Sequence, residues 1–162
     1  MVTANRIDGA TAYTTPTDRE IVATRVFDAP RKLVFEAWTR PEHLKQWMLG
    51  PIGWTMVVCD IELRPGGAWH FAWRNSDGTE MSLRGVYREV TPPERIVTTE
   101  SWGPEWPETI NTVQLVEKDG RTTMTNSMLY PSKAARDAAL GTGMKEGMSM
   151  SFTRLAELLG GA

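Results

Sequence analysis

The stretch Trp54-Thr-Met-Val-Val-Cys-Asp-Ile-Glu-Leu-Arg64, Pro65-Gly66-Gly67, Ala68-Trp-His-Phe-Ala-Trp-Arg-Asn75, Ser76-Asp77-Gly78 decides how this chain folds. Two runs rich in β-branched and aromatic residues are separated by short glycine turns, and the same rhythm then continues without interruption. Thr79 to Val90, Arg95 to Trp102, Glu108 to Glu117 and Arg121 to Tyr130 each read as a strand. Pro92-Pro93 breaks one junction, and Asp119-Gly120 carries the signature of a type I′ hairpin. Nothing between Trp54 and Tyr130 is long enough for a crossover helix, so neighbouring strands must pair antiparallel.

Upstream, Glu20 to Asp28 alternates, with Ile21, Ala23, Arg25 and Phe27 opposed to Val22, Thr24 and Val26, which makes a further strand and seven in all. Ala29-Pro30 opens a helix with Leu33, Val34, Ala37 and Trp38 as its apolar stripe. Thr39-Arg-Pro-Glu42 has the form of a capping box and starts a second short helix, which carries Leu44, Trp47 and Met48 and stops at Gly50-Pro51. Downstream, Ser132 can cap the final helical segment. Its first portion is Lys133 to Leu140, and Gly141 and Gly143 loosen or break it there. Met148, Phe152, Leu155 and Leu159 then continue at helical spacing. The segment Ser132 to Leu159 is the partner large enough to cover the sheet. The expected fold is α+β, a curved seven-stranded antiparallel sheet around a long C-terminal helix, with two short helices after strand one. Residues 1–18 are expected to form an N-terminal extension that frays or lies along an edge, and residues 19–162 a single domain. A curved sheet closed over one helix tends to enclose a cavity, and cavities bind small molecules.

Composition narrows the function classes. The 162 residues suffice for a sizeable core. Lys and Arg number 18 against 20 Asp and Glu, with no basic run, which argues against nucleic acid as the main partner. Cys59 is the lone cysteine and reads as a small buried hydrophobe. With His43 and His70 far apart, the sequence offers no metal-ligand pair, and neither a metal nor a cofactor is expected. Gly141-Thr-Gly-Met-Lys-Glu-Gly147 fails the dinucleotide fingerprint on spacing and on context, and Gly147 reads as close packing of the helix on the sheet. No apolar run reaches the roughly 18 residues of a membrane span, and the polar start lacks a signal peptide's hydrophobic region, so a cytoplasmic location is expected.

Polar residues interrupt the inward alternation in an informative way. Ile96, Thr98, Glu100 and Trp102 share one face of their strand; Thr109, Asn111, Val113 and Leu115 share one face of the next. Thr122, Met124, Asn126 and Met128 do so on the last. If those faces point inward, Thr98, Glu100, Asn111 and Asn126 converge in an apolar pocket. A buried Glu100 would then have a raised pKa and could act as acid or base. A one-residue slip reverses every face, and Glu100 would then reach solvent or pair with an arginine. His70, between Trp69 and Phe71, points to the opposite face from those rings, and His43 reads as part of a solvated helix face. Seven tryptophans are many, and Trp102 and Trp106 flank a Gly-Pro-Glu turn where apolar bulk usually has a reason. Met144 and Met148 are mostly core, although unbranched methionine also suits an adaptable pocket wall.

The order of elements, together with several motifs, resembles the Bet v 1/START-like (SRPBCC) superfamily. Within it, the chain resembles the branch that shares the C-terminal domain of the activator of Hsp90 ATPase. The motifs are Phe27-Asp-Ala-Pro30, Val34-Phe-Glu-Ala-Trp-Thr-Arg-Pro-Glu42, Gln46-Trp47, Leu63-Arg-Pro-Gly-Gly-Ala-Trp69, Gly85-Val-Tyr-Arg-Glu-Val-Thr-Pro-Pro-Glu-Arg95 and Gly143-Met-Lys-Glu-Gly-Met148 followed by Leu155. Met148 stands where the family usually shows Trp. The resemblance implies a helix-grip fold and a cavity for a hydrophobic or amphipathic ligand. Phe35, Trp38 and Trp47 would close one side of it, and Trp69, Phe71, Trp73, Met124, Met148 and Phe152 would form the walls. Trp102 and Trp106 would sit at the mouth. An enzyme using Glu100 as acid/base, with Asn111 and Asn126 orienting the substrate, is the alternative. A stress-related, chaperone-assisting module is a third reading. The domain through which the true co-chaperone binds its partner has no room here, which counts against chaperone contact. Family members often form homodimers, and an exposed sheet edge would allow one.

Overall fold

The computed structural model describes residues 10–160, so the part of the expected N-terminal extension that covers residues 1–9 lies outside the described residues. The elements are β1 (Ala12–Thr14), β2 (Glu20–Phe27), α1 (Arg31–Thr39), α2 (Pro41–Trp47), β3 (Trp54–Ile61), β4 (Ala68–Asn75), β5 (Glu80–Thr91), β6 (Arg95–Glu100), β7 (Thr109–Lys118), β8 (Arg121–Leu129), α3 (Lys133–Leu140) and α4 (Met144–Leu158). One antiparallel sheet holds all the strands in the order β1-β2-β8-β7-β6-β5-β4-β3. Strands β3 to β8 are a plain meander, as short glycine turns require. The count is eight strands where seven were expected. The extra one is β1, which pairs with β2 at Ala12↔Thr24 to Thr14↔Val22. It is three residues long and shows no hydrophobic period, which is why the sequence offers no strand signal there. Tyr13 secures it: its hydroxyl donates to the Lys145 carbonyl at 2.8 Å and lies 2.8 Å from Ser149 Oγ on α4.

Two local expectations are corrected. Thr39 does not cap α2, whose N-cap is Arg40 with no side-chain hydrogen bond. Its hydroxyl instead donates back to the Phe35 carbonyl at 2.9 Å, because Thr39 is still the last residue of α1. Gly147 approaches Pro51 and Gly50 in the α2–β3 connection, not the sheet. The same connection is clamped by Arg154, which donates to the Gly50 carbonyl at 2.7 Å, and by Ser151 Oγ, which accepts from Gly50 N at 2.9 Å. The final helix does divide at its glycines, with Gly143 at φ 78°. Ser132 caps α3 by accepting from Ala135 N. At the β7–β8 hairpin Asp119 and Gly120 both have positive φ (54° and 79°), as a type I′ turn demands.

The main core is the layer between the sheet and helices α1, α2 and α4, centred on Phe27, Val34, Leu44, Trp47, Leu115, Met124, Phe152 and Leu155. A smaller cluster of Ile21, Met128 and Tyr130 packs against Ala135, Ala139, Leu140 and Met144. Between strands β4 and β5 the ring of Trp69 lies over Gly85, its register partner. A Cβ at residue 85 would collide with the Thr99 carbonyl oxygen and with that ring. Gly85→Ala should therefore destabilise the fold by about 1–3 kcal/mol through overpacking, read as a lowered denaturant midpoint at unchanged slope.

Candidate functional site

Strands β6, β7 and β8 bring their inward residues into line. Ile96 pairs with Val113, Thr98 with Asn111 and Glu100 with Thr109 across β6 and β7, while Val113 pairs with Asn126 and Asn111 with Met128 across β7 and β8. The alternation along β7 and β8 is unbroken: Thr109, Asn111, Val113, Leu115, Thr122, Met124, Asn126 and Met128 are all buried. A half-enclosed cavity of about 70 Å³ opens at the polar end of this face. Its floor carries Thr98, Glu100, Asn111 and Asn126, and aromatic rings of Trp38, Trp69, Phe71 and Tyr87 stand around them. Met48, Leu83, Ile96 and Val113 complete the lining.

Of the residues expected around a ligand, Trp38, Trp69, Phe71, Thr98, Glu100, Asn111 and Asn126 therefore meet at one cavity. The others do not line it, and each has a physical reason. Trp47 is fully buried and donates to the Ala37 carbonyl at 2.9 Å. Trp73 donates to the Met48 carbonyl at 2.7 Å and is covered by Trp102, stacked on it at 5.7 Å. Phe152 fills the space beside Trp38 and Trp47, with ring centroids 6.3 and 6.2 Å away. Met124 lies beneath Trp38, whose indole N–H donates to its sulfur at 3.2 Å. Phe35 is a core residue, and Met148 packs against both clusters from the edge. Met144 belongs to the smaller cluster, within reach of the Tyr130 hydroxyl at 3.9 Å. Trp106 is exposed on the loop beyond β6. The wall expected from α4 is supplied by α1, the α2–β3 connection and β4–β6. Ile96 and Val113 lie on the strand faces expected to point inward, whereas Met48, Leu83 and Tyr87 are lining residues that the sequence reading does not name. Leu83 and Tyr87 share the inward phase of β5, a signal that was available in its alternation.

The electrostatics centre on Glu100. Its carboxyl is held up at a pKa of about 7, from an ordinary 4.5, by burial among apolar groups; hydrogen bonds from Asn111 and Trp102 oppose the rise. Thr109 Oγ1 donates to Asn111 Oδ1 at 3.2 Å, which turns the Asn111 amide nitrogen free to donate to Glu100. Tyr130 senses the same charge, and burial with Glu100 nearby pushes its phenol up to about 12. Two buried polar atoms of the lining residues have no hydrogen-bond partner, Asn126 Oδ1 and Trp69 Nε1. Such atoms are costly unless something meets them.

Neither histidine joins this site. His70 lies within 2.8 Å of the Ser82 hydroxyl on the other sheet face, as its phase implies. His43 is half-buried, with its Nδ1 enclosed, where a solvated face was expected, because α2 packs against β3 and α4. Cys59 is half-buried and its thiol is pushed up to about 11 by burial, which leaves it unreactive at neutral pH. Among the described residues no three His, Cys, Asp or Glu side chains come together as a metal site. No helix among them is long and apolar enough to cross a membrane.

The family model of the Activator of Hsp90 ATPase homolog 1-like proteins matches residues 28–160. The chain belongs to that family. A crystal structure of a protein from Rhodobacter sphaeroides superposes with a TM-score of 0.85 at 26% identity, over 92% of this chain and 97% of that one. One from Nitrosomonas europaea gives 0.80 at 26% identity, over 90% and 96%. A third, from Mycobacterium smegmatis, shares the fold at 0.83 and 24% identity, over 94% and 98%. No curated protein matches the chain. Membership carries the helix-grip architecture, and the cavity is set by this chain's own residues.

Because Glu100 titrates near 7 when folded and near 4.5 when unfolded, the unfolded chain loses that proton first as pH rises. Stability should fall between about pH 4.5 and 7 and level off above. Replacing the acid by its neutral isostere removes this slope. Glu100→Gln should be more stable than the parent at about pH 8 by up to about 3 kcal/mol, and equal to it at about pH 4, in denaturant titrations across pH.

Proposed function

We propose that this protein binds a small amphipathic molecule in the cavity of β4–β8, with the polar end at Glu100, Asn111 and Asn126 and the apolar part against Trp38, Trp69 and Phe71. The observation that carries this reading is the unpartnered Asn126 Oδ1, buried in a lining that is otherwise mostly apolar. A core selected only for stability would replace such an atom by a hydrocarbon of similar shape. Drug-sized ligands occupy pockets of about 300–1,000 Å³. A cavity of about 70 Å³ therefore suits the head of a small molecule, with the remainder reaching past the exposed Trp102.

Catalysis is the second reading, and Glu100 favours it. A carboxyl poised near 7 can give or take a proton at neutral pH, and Asn111 and Trp102 would orient it. Glu100→Gln tests this reading: an enzyme loses far more turnover than the variant's loss of ligand affinity accounts for, whereas a binder turns nothing over in either form.

The test of binding is native mass spectrometry of freshly purified protein, paired with Asn126→Leu. The parent should retain a small molecule that denaturation releases. Asn126→Leu should gain about 1 kcal/mol of stability and retain at least tenfold less of that molecule. A variant that is less stable than the parent yet equally loaded would show that Asn126 serves packing alone, and the reading would fail.

A further inference from the structure

Glu100 is the one formally charged residue among those that line the cavity. No lysine or arginine is among the groups acting on its carboxyl, whose partners are the neutral donors Asn111 and Trp102. Two of the roughly four acceptor positions of a carboxylate are thereby used, and no cation is among the groups that act on it. Asn126 Oδ1, on a side chain that is 8% exposed, adds an acceptor with no donor. Around them stand the rings of Trp38, Trp69, Phe71 and Tyr87, whose faces are electron-rich and attract positive charge.

We propose that the molecule taken by this cavity is a small primary or secondary amine bound as its ammonium ion, with the nitrogen held between Glu100 and Asn126 Oδ1 and the hydrocarbon body directed toward Trp102. This assignment rests on the binding reading above and narrows it to one chemical class. An ammonium supplies a positive charge for Glu100 and an N–H donor for Asn126; the unpartnered indole N–H of Trp69, itself a donor, it does not meet. Anionic ligands are disfavoured, since no lining residue carries a positive charge and Glu100 would repel them. Purely apolar molecules would leave Asn126 Oδ1 without a donor and Glu100 without a counter-charge. Quaternary ammonium ions would satisfy the rings and the carboxylate but offer Asn126 no hydrogen. Trp102 links Glu100 to the surface: its side chain bonds to Glu100, its ring stacks on Trp73 at 5.7 Å, and it remains 43% exposed. A ring or short chain attached to the ammonium can lie on that free indole surface.

Three probes of equal skeleton decide the matter: 2-phenylethylamine, 2-phenylethanol and phenylacetate, titrated by calorimetry and by tryptophan fluorescence at about pH 8, where Glu100 is ionised and the amine still protonated. Tyr130, the other titratable group that feels Glu100, stays neutral there. The amine should bind at least about tenfold tighter than the alcohol, and phenylacetate should bind weakest. Glu100→Gln should reduce the amine's advantage over the alcohol to below about threefold, a change in ratio that mere unfolding, which weakens both probes alike, cannot mimic. Trimethyl substitution on the nitrogen should weaken binding in the parent and matter less in Asn126→Leu. Equal binding of amine and alcohol, tighter binding of phenylacetate, or an amine preference that survives Glu100→Gln would overturn the amine assignment and leave small-molecule binding standing. Failure of all three probes, with an empty native mass spectrum, would overturn both.

Discussion

Phe152 on α4 packs against both Trp38 on α1 and Trp47 on α2, and the rest of the structure depends on this aromatic wedge. Trp38 and Trp47 meet edge to face at 4.9 Å, and Phe152 lies against both. Three helices of independent direction are thus tied to one point above the sheet. The wedge fills the middle of the space that a helix-grip fold would otherwise leave open. What remains free is the end toward β4–β6, where Trp69 and Phe71 replace helix side chains as the cover. A hydrophobic contact thereby sets both the stability of the domain and the position of its cavity.

Against that apolar background Glu100 is the exception. A carboxyl surrounded by rings and aliphatic groups gives up much of its hydration, and only two neutral donors compensate. The protein holds it with care: Thr109 orients Asn111, and Asn111 serves Glu100. Arg25 shows the contrast. It too is buried on the inner face, but its guanidinium donates to Thr153 on α4 at 3.2 Å and lies 5.6 Å from the centre of the Phe27 ring, away from the cavity. One buried charge ties sheet to helix; the other is kept in an open-ended pocket.

Expectations at the level of pattern and at the level of contact met different outcomes. Period-two alternation on β6, β7 and β8 predicts which residues share a face, and the burial that alternates along β7 and β8 settles that those faces point inward. The convergence of Thr98, Glu100, Asn111 and Asn126 follows from it. The lining from α4 did not follow. Whether Met148 and Phe152 face a cavity or fill it depends on how far α1 and α2 stand from the sheet, a distance that no helical period encodes. Thr39 failed as a cap for a similar reason: the four-residue pattern is local, but α1 runs through Thr39, which leaves Arg40 as the residue before α2. The strand Ala12–Thr14 is invisible in its own residues, since its pairing is driven by the free edge of β2 and by Tyr13 reaching α4.

From the sequence alone come the antiparallel meander, the two short helices, the broken terminal helix and which polar strand residues share a face. All of these are set by turn chemistry and periodicity, which act over a few residues. Only the tertiary structure decides where the cavity is, how small it is, and that Glu100 faces it without a cation. Those properties arise from side chains far apart in the chain, and their burial and mutual distances exist only once the aromatic wedge has closed the helices onto the sheet.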